Sequence, residues 1–197
     1  MKIIGVTGGV GSGKSQVLAY LEKHFGAVVC QADHVAWDLQ KPGAKGYLDI
    51  VKHFGTKVLN EDETINRKKL GEIVFGNPEE LLVLNQIMHP AVKEEIKDII
   101  RLEEEKGTRY FVLEAALLLE EAYNQICDEI WYIYSNETVR RQRLKESRMY
   151  TDEKIDAILA SQMSECEFRE QCHIVIDNNG EFSDTCEQIN QIMGEKL

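Results

Sequence analysis

The chain is short of positive charge. Its 197 residues include 23 lysines and arginines against 34 aspartates and glutamates, a formal net charge of −11. A surface this acidic repels phosphate backbones, which argues against nucleic acid as a partner. Any anionic substrate must then be met by a local cluster of cations and backbone N–H groups, so the places of the few basic residues carry information. Paired cysteines are missing as well. Cys30, Cys127, Cys166, Cys172 and Cys186 are odd in number, widely spaced and without a C-x-x-C pair. That argues against a disulfide framework and a zinc site, and leaves reduced thiols in a cytoplasmic protein as the expectation. No apolar run approaches the length of a membrane span. The opening residues reach their glycines too early to read as a secretory signal. His24, His34, His53 and His173 show no metal-ligand spacing.

What is present is ordinary globular material, 43% hydrophobic and 29% charged, of a length that suits one α/β domain with a small insertion. Residues 2–7 form a short β-branched run followed directly by glycines, which predicts a buried parallel strand. Val17, Leu18 and Leu21 fall at helical spacing, and 27–30 reads as a second strand. Strand, glycine turn, helix and strand make a βαβ unit. From 34 to about 106 the pattern is helical and charged, with Asn77-Pro78 as a helix start and His89-Pro90 as a cap and turn between two helices. Strand character returns at 110–113, 129–134 and 174–176. A basic helix is predicted over 139–149, another helix over 152–171 entered at Thr151, and a last one through Ile189 and Ile192.

Gly8, Gly9, Val10, Gly11, Ser12, Gly13, Lys14 and Ser15 spell G-x-x-x-x-G-K-[ST] in full, between a predicted strand and a predicted helix. The glycines let successive backbone N–H groups converge on one phosphate, and the helix beginning near Lys14 adds its positive end. Lys14 is placed to reach the β- and γ-phosphates of ATP, and the Ser15 hydroxyl to bind Mg²⁺. No N-K-x-D guanine motif accompanies the loop, and the length fits a kinase of a small metabolite.

Asp33 lies just past the second strand, and ligands of parallel sheets lie outside the carboxyl ends of strands. A carboxylate there can orient an attacking hydroxyl, take its proton or bind Mg²⁺ through water; the competing reading is a helix cap for the segment starting at His34. The run 140–148 is basic inside an acidic chain. Arg143 and Arg148 are its candidate phosphate cations, while Arg140, Arg141 and Lys145 are expected on a solvated face. Such a segment suits a lid that excludes water. Trp37 and Trp131 are expected in the core or in a pocket wall.

Several stretches together resemble the dephospho-CoA kinase family. They are Thr7 to Ser15, Gln31-Ala32-Asp33, Pro42-Gly43-Ala44-Lys45-Gly46, Leu70 to Phe75, His89-Pro90, Glu114 to Glu120, the run ending at Arg143, Gln162, and Cys172 to Gly180, in order along the chain. The resemblance implies a P-loop nucleoside triphosphate hydrolase fold: an α/β parallel sheet flanked by helices, with a helical acceptor-binding insertion and a lid. Residues 1–33 and 107–197 would form the nucleotide-binding core, with the lid at about 139–165, and residues 34–106 the insertion for dephospho-CoA. It implies transfer of the ATP γ-phosphoryl to the 3′-hydroxyl of dephospho-CoA, with ATP on Gly11 to Gln16, Asp33 acting on the hydroxyl, Arg143 meeting the phosphates, and Asn178 and Gly180 near the adenine. The chain departs from the family pattern at Gln16, Ala116, Ser147 and His173. On the residues alone another P-loop nucleoside or nucleotide kinase, or a non-catalytic ATP-binding regulator, stays open.

Overall fold

The structure, a computed structural model, describes residues 1–194. The elements follow in the order β1 (Lys2–Thr7), α1 (Lys14–Phe25), β2 (Val28–Gln31), α2 (Ala32–Asp38), α3 (Lys45–Phe54), α4 (Arg67–Phe75), α5 (Pro78–Glu105), β3 (Tyr110–Glu114), β4 (Glu129–Tyr134), α6 (Glu137–Arg148), α7 (Asp152–Ala160), α8 (Glu165–Gln171), β5 (Ile174–Asp177) and α9 (Phe182–Gly194). The sheet has five strands in the order β2-β3-β1-β4-β5. β1 pairs in parallel with β3 and β4, and β4 with β5. The strand that ends in the glycine loop is therefore central. The carboxyl ends of β1, β4 and β5 lie side by side, as the register Val6↔Trp131 and Tyr134↔Asp177 requires.

Two compact units divide the chain: Met1–Val29 with Gly107–Leu197, and Cys30–Lys106. In the first, period-2 alternation decides the core. Ile4 and Val6, Tyr110 and Val112, and Trp131 and Ile133 point to one face and pack with Val17, Leu18 and Leu21 of α1 and Ile189 and Met193 of α9. Phe111, Leu113, Ile130 and Tyr132, on the opposite face, are buried too. Both faces are covered, which is why these strands read as continuous apolar runs. Trp131 belongs to this core and donates Nε1 to Glu129 Oε1 at 2.6 Å.

The second unit is helical. α2, α3 and α4 pack on α5, whose buried side chains are Met88, Ala91, Val92 and Ile96. Two expectations are corrected. His89-Pro90 does not end a helix: α5 runs unbroken for 28 residues with Pro90 inside it. A proline there cannot donate to the carbonyl four residues back, but the buried face continues through it from Met88 to Ile96, and that packing outweighs the lost hydrogen bond. Residues 152–171 form not one helix but α7 and α8. The break comes from a capping box in which Ser164 Oγ accepts from Glu167 N and Glu167 Oε2 accepts from Ser164 N at 2.8 Å.

Phe111 is completely buried in β3. Phe111→Ala is expected to lower the unfolding free energy by about 3–5 kcal/mol. The exposed Leu48→Ala should change it by no more than about 0.5 kcal/mol. Urea denaturation of both variants checks the contrast.

Candidate active site

The phosphate loop starts where β1 ends. Ser12 N donates to Gly9 O at 3.1 Å and closes the turn. Gly13 occupies the N-cap of α1 at φ 88°, no side chain caps that helix, and its first turn holds no acid. Gly13 has no side chain with which to cap the positive end of the helix. Only glycine fits at 13, because a Cβ there would lie 2.2 Å from Asn178 Nδ2. The buried Ser12 hydroxyl has no hydrogen-bond partner among the described residues. An uncapped helix start, closely approached glycines and an orphaned hydroxyl fit a loop built to hold phosphate.

Side chains from β4 and β5 brace the loop from behind. Asn178, 1% exposed, donates Nδ2 to Ser12 O at 2.7 Å, and its Oδ1 accepts from Thr185 Oγ1 at 2.8 Å. Ser135 Oγ sits 2.7 Å from Asn178 O and 3.2 Å from Ser12 O. Arg143 donates to Ser12 O, Ser135 Oγ and Asn178 O at 3.3, 3.0 and 2.9 Å. Lys14 Nζ donates to Gly8 O at 2.8 Å and stands 4.0 Å from Glu114 Oε1. Ser15 and Gln16 are exposed at the start of α1, and Gly180 is exposed in the turn after β5.

Glu114, in the sequence only part of a family-like stretch, is a buried acid at the carboxyl end of β3, facing the loop lysine. The signal was available: an acid closing an apolar strand beside a phosphate loop is where such proteins hold Mg²⁺. Among the described residues no group of three or more His, Cys, Asp or Glu side chains could hold a metal ion. A Mg²⁺ here would depend on Ser15, Glu114, water and the phosphates themselves.

The basic run splits by helix face. Arg141 pairs with Glu137 at 2.7 Å and with Asp156, and Lys145 with Asp152 at 2.7 Å, all on the outside as expected. Arg148 is exposed beside Tyr150. Arg140 departs from expectation: it is half-buried, with Nε donating to Val10 O at 2.9 Å and Nη2 to Gln162 Oε1. Burial lowers its pKa from the ordinary guanidinium value. The clue was helical spacing, since Arg140, Arg143 and the buried Leu144 share one face of α6.

The helical unit carries a second feature. Asp33 is exposed in the first turn of α2, and Gln31, not Asp33, holds the N-cap. Asp33 and Trp37, four residues apart, share a helix face and line a groove of about 290 Å³ with Gln40, Arg67, Gly71 and Phe75. The Arg67 guanidinium carbon lies 4.0 Å from the Trp37 ring centroid, a cation–π contact. Trp37 is 58% and Phe75 85% exposed. Exposed aromatics beside a cation and a carboxylate mark a ligand surface. Arg67 was missed because it begins α4, three residues ahead of the stretch that resembles the family.

A parallel sheet whose central strand runs into a braced phosphate loop, with a helical unit bearing a carboxylate-lined groove, defines a P-loop kinase. A family model for dephospho-CoA kinase matches residues 2–184. The dephospho-CoA kinase of Carboxydothermus hydrogenoformans is 39% identical over 98% of this chain and 93% of its own. Among solved structures, TT1252 from Thermus thermophilus is 26% identical with a TM-score of 0.82, covering 100% of this chain and 98% of that one. Dephospho-CoA kinase from Campylobacter jejuni is 25% identical with a TM-score of 0.72, covering 100% of both. The chain belongs to the dephospho-CoA kinase family and is an ATP-dependent kinase of coenzyme A biosynthesis.

Gly13→Ala places a methyl group on Asn178 at a backbone angle that disfavours it. It is expected to weaken binding of a non-hydrolysable ATP analogue by more than about tenfold. Calorimetric titration giving wild-type affinity would remove the braced loop from the nucleotide site.

Proposed function

We propose that the chain transfers the γ-phosphoryl group of ATP to the 3′-hydroxyl of the ribose of dephospho-CoA, giving coenzyme A and ADP, the last step of coenzyme A synthesis, in the cytoplasm. The observation that carries the reading is Asp33, an exposed carboxylate on the wall of a groove that also offers a guanidinium and two aromatic rings. Adenosine presents a flat base and ribose hydroxyls, and the 5′ pyrophosphate of dephospho-CoA presents negative charge. Trp37 and Phe75 suit the base, Arg67 suits the phosphate, and Asp33 suits the hydroxyl that reacts.

Phosphoryl transfer has a loose transition state, so alignment and charge neutralisation do most of the work. The N–H groups at the start of α1 hold the ATP phosphates. Asp33 orients the 3′-hydroxyl and takes its proton as the oxygen bonds to the γ-phosphorus, while the bond to the β–γ bridging oxygen breaks and ADP leaves. Lys14 neutralises charge moving onto that oxygen. Arg143, whose guanidinium braces the loop at Ser12 O, adds positive potential beside it. Ser15 and Glu114 are the residues that would hold Mg²⁺, which would supply further neutralisation of the phosphates. Residues 34–106 hold the acceptor, and 139–165 act as the lid. Gly180, exposed after β5, borders the nucleotide, whereas Asn178, expected there too, is buried and acts on the site through Ser12 O.

Release of ADP from ATP, measured with and without dephospho-CoA, tests the reading; release indifferent to dephospho-CoA would sink it. Asp33→Asn is expected to lower kcat by about 10²–10⁴-fold with the circular dichroism spectrum unchanged. Arg67→Ala should raise the KM for dephospho-CoA by about tenfold or more and leave that for ATP within about twofold. An Asp33→Asn enzyme with normal turnover would remove the carboxylate from the chemistry.

A further inference from the structure

Both backbone groups of Val10, the residue at the middle of the phosphate loop, are held by side chains distant in sequence. Its carbonyl accepts from Arg140 Nε at 2.9 Å, and its N–H donates to Gln162 Oε1 at 3.3 Å. The same amide oxygen accepts from Arg140 Nη2. Arg140 lies on α6 and Gln162 in the turn between α7 and α8. The guanidinium rests directly on Gly9: a Cβ at that glycine would sit 2.3 Å from Arg140 Cζ. The backbone of Arg140 and the side chain of Leu144 also approach Gly11, at 3.0 and 3.1 Å from where its Cβ would stand. The front of the loop is therefore clamped by α6 and the α7–α8 turn, just as its back is braced at Ser12.

A loop with glycine at 8, 9, 11 and 13 has many backbone conformations available, and ordering each residue costs roughly 1–2 kcal/mol. Phosphate binding by backbone N–H groups requires that ordering to exist beforehand. Arg140 and Gln162 impose it at Val10, where neither a helix nor a strand does. Arg140 also gives up hydration to sit there, which the burial-lowered pKa reflects. Its planar fork reaches the Val10 carbonyl and the Gln162 amide at once, a geometry that lysine cannot reproduce.

We propose that Arg140 and Gln162 are a pair of positioning residues that preset the phosphate loop through Val10, so that ATP affinity depends on them although they act through the loop. The proposal rests on the reading of the loop as the ATP site. It is tested on the full chain with Arg140→Met, Arg140→Lys, Gln162→Leu and the Arg140→Met/Gln162→Leu double variant. The readouts are the Kd for a non-hydrolysable ATP analogue, the KM for dephospho-CoA and the melting temperature without ligand.

The single variants are expected to raise the Kd about ten- to a hundredfold, with the KM for dephospho-CoA and the ligand-free melting temperature nearly unchanged. The double variant should be no more than about threefold worse than the worse single, because both side chains act on one residue. Arg140→Lys should behave as Arg140→Met. An Arg140→Lys protein with wild-type affinity would mean that charge alone matters and would overturn the proposal. So would single effects that multiply in the double variant, or variants that bind as the wild type does. If a variant loses its fold, Arg140→Lys and Gln162→Leu, which keep side-chain size, carry the comparison. Failure of the wild type to bind the analogue would instead remove the ATP reading itself.

Discussion

The carbonyl of Ser12 is the point on which the nucleotide side of this protein turns. It accepts from Asn178, at the end of β5, and from Arg143 on α6, with Ser135 Oγ, at the end of β4, 3.2 Å away. A glycine loop is useful because its N–H groups can converge, and unreliable for the same reason. Hydrogen bonds to a charged donor are worth about 1.5–3 kcal/mol each, and one carbonyl held by two N–H donors, one of them Arg143, gives the loop a fixed back wall. The neighbouring carboxyl ends of β1, β4 and β5 make this possible, since they bring three loops to one place. The parallel sheet, buried on both faces by apolar packing, holds those ends in register.

Charge is distributed to match. A chain with net charge −11 attracts no anion in general, so its cations have to be concentrated. Lys14, Arg140 and Arg143 are partly withdrawn from solvent and directed at backbone carbonyls of the loop. Arg141 and Lys145 on the same helix are bound up with surface acids that screen them. The division follows helix geometry: 140 and 143 reach the loop from the side of the buried Leu144, and 141 and 145 reach the acids of α6 and α7. In the helical unit the same economy of cations appears as Arg67 lying over Trp37, where an aromatic ring keeps a guanidinium extended along a groove wall.

Elements with a strong local pattern were legible in advance. The strands at 2–7, 110–113 and 129–134, the helix after Lys14 and the helix start at Asn77-Pro78 all stand where spacing and capping residues put them. Where the reading missed, a longer-range term overrode a local one. Pro90 is a helix breaker by propensity, yet the buried row from Met88 to Ile96 keeps α5 whole. Arg140 looks like any surface arginine until α6 is laid against the loop. Trp37 does line a groove, one of its two expected places, but nothing local marks Arg67, thirty positions on, as the cation that rests over its ring.

The amino-acid order by itself determined the α/β class, the phosphate loop with its lysine and serine, and the place of Asp33 just beyond the second strand. These depend on interactions within a few residues: backbone periodicity, glycine's freedom and the alternation of faces. Only the tertiary structure decided which cations serve the loop, that Glu114 faces Lys14, and that Gln162 and Asn178, 152 and 166 residues from their loop partners, clamp it from two sides. Contacts of that separation arise from how helices pack on the sheet, and no local pattern in a chain encodes which distant side chain will arrive at a given carbonyl.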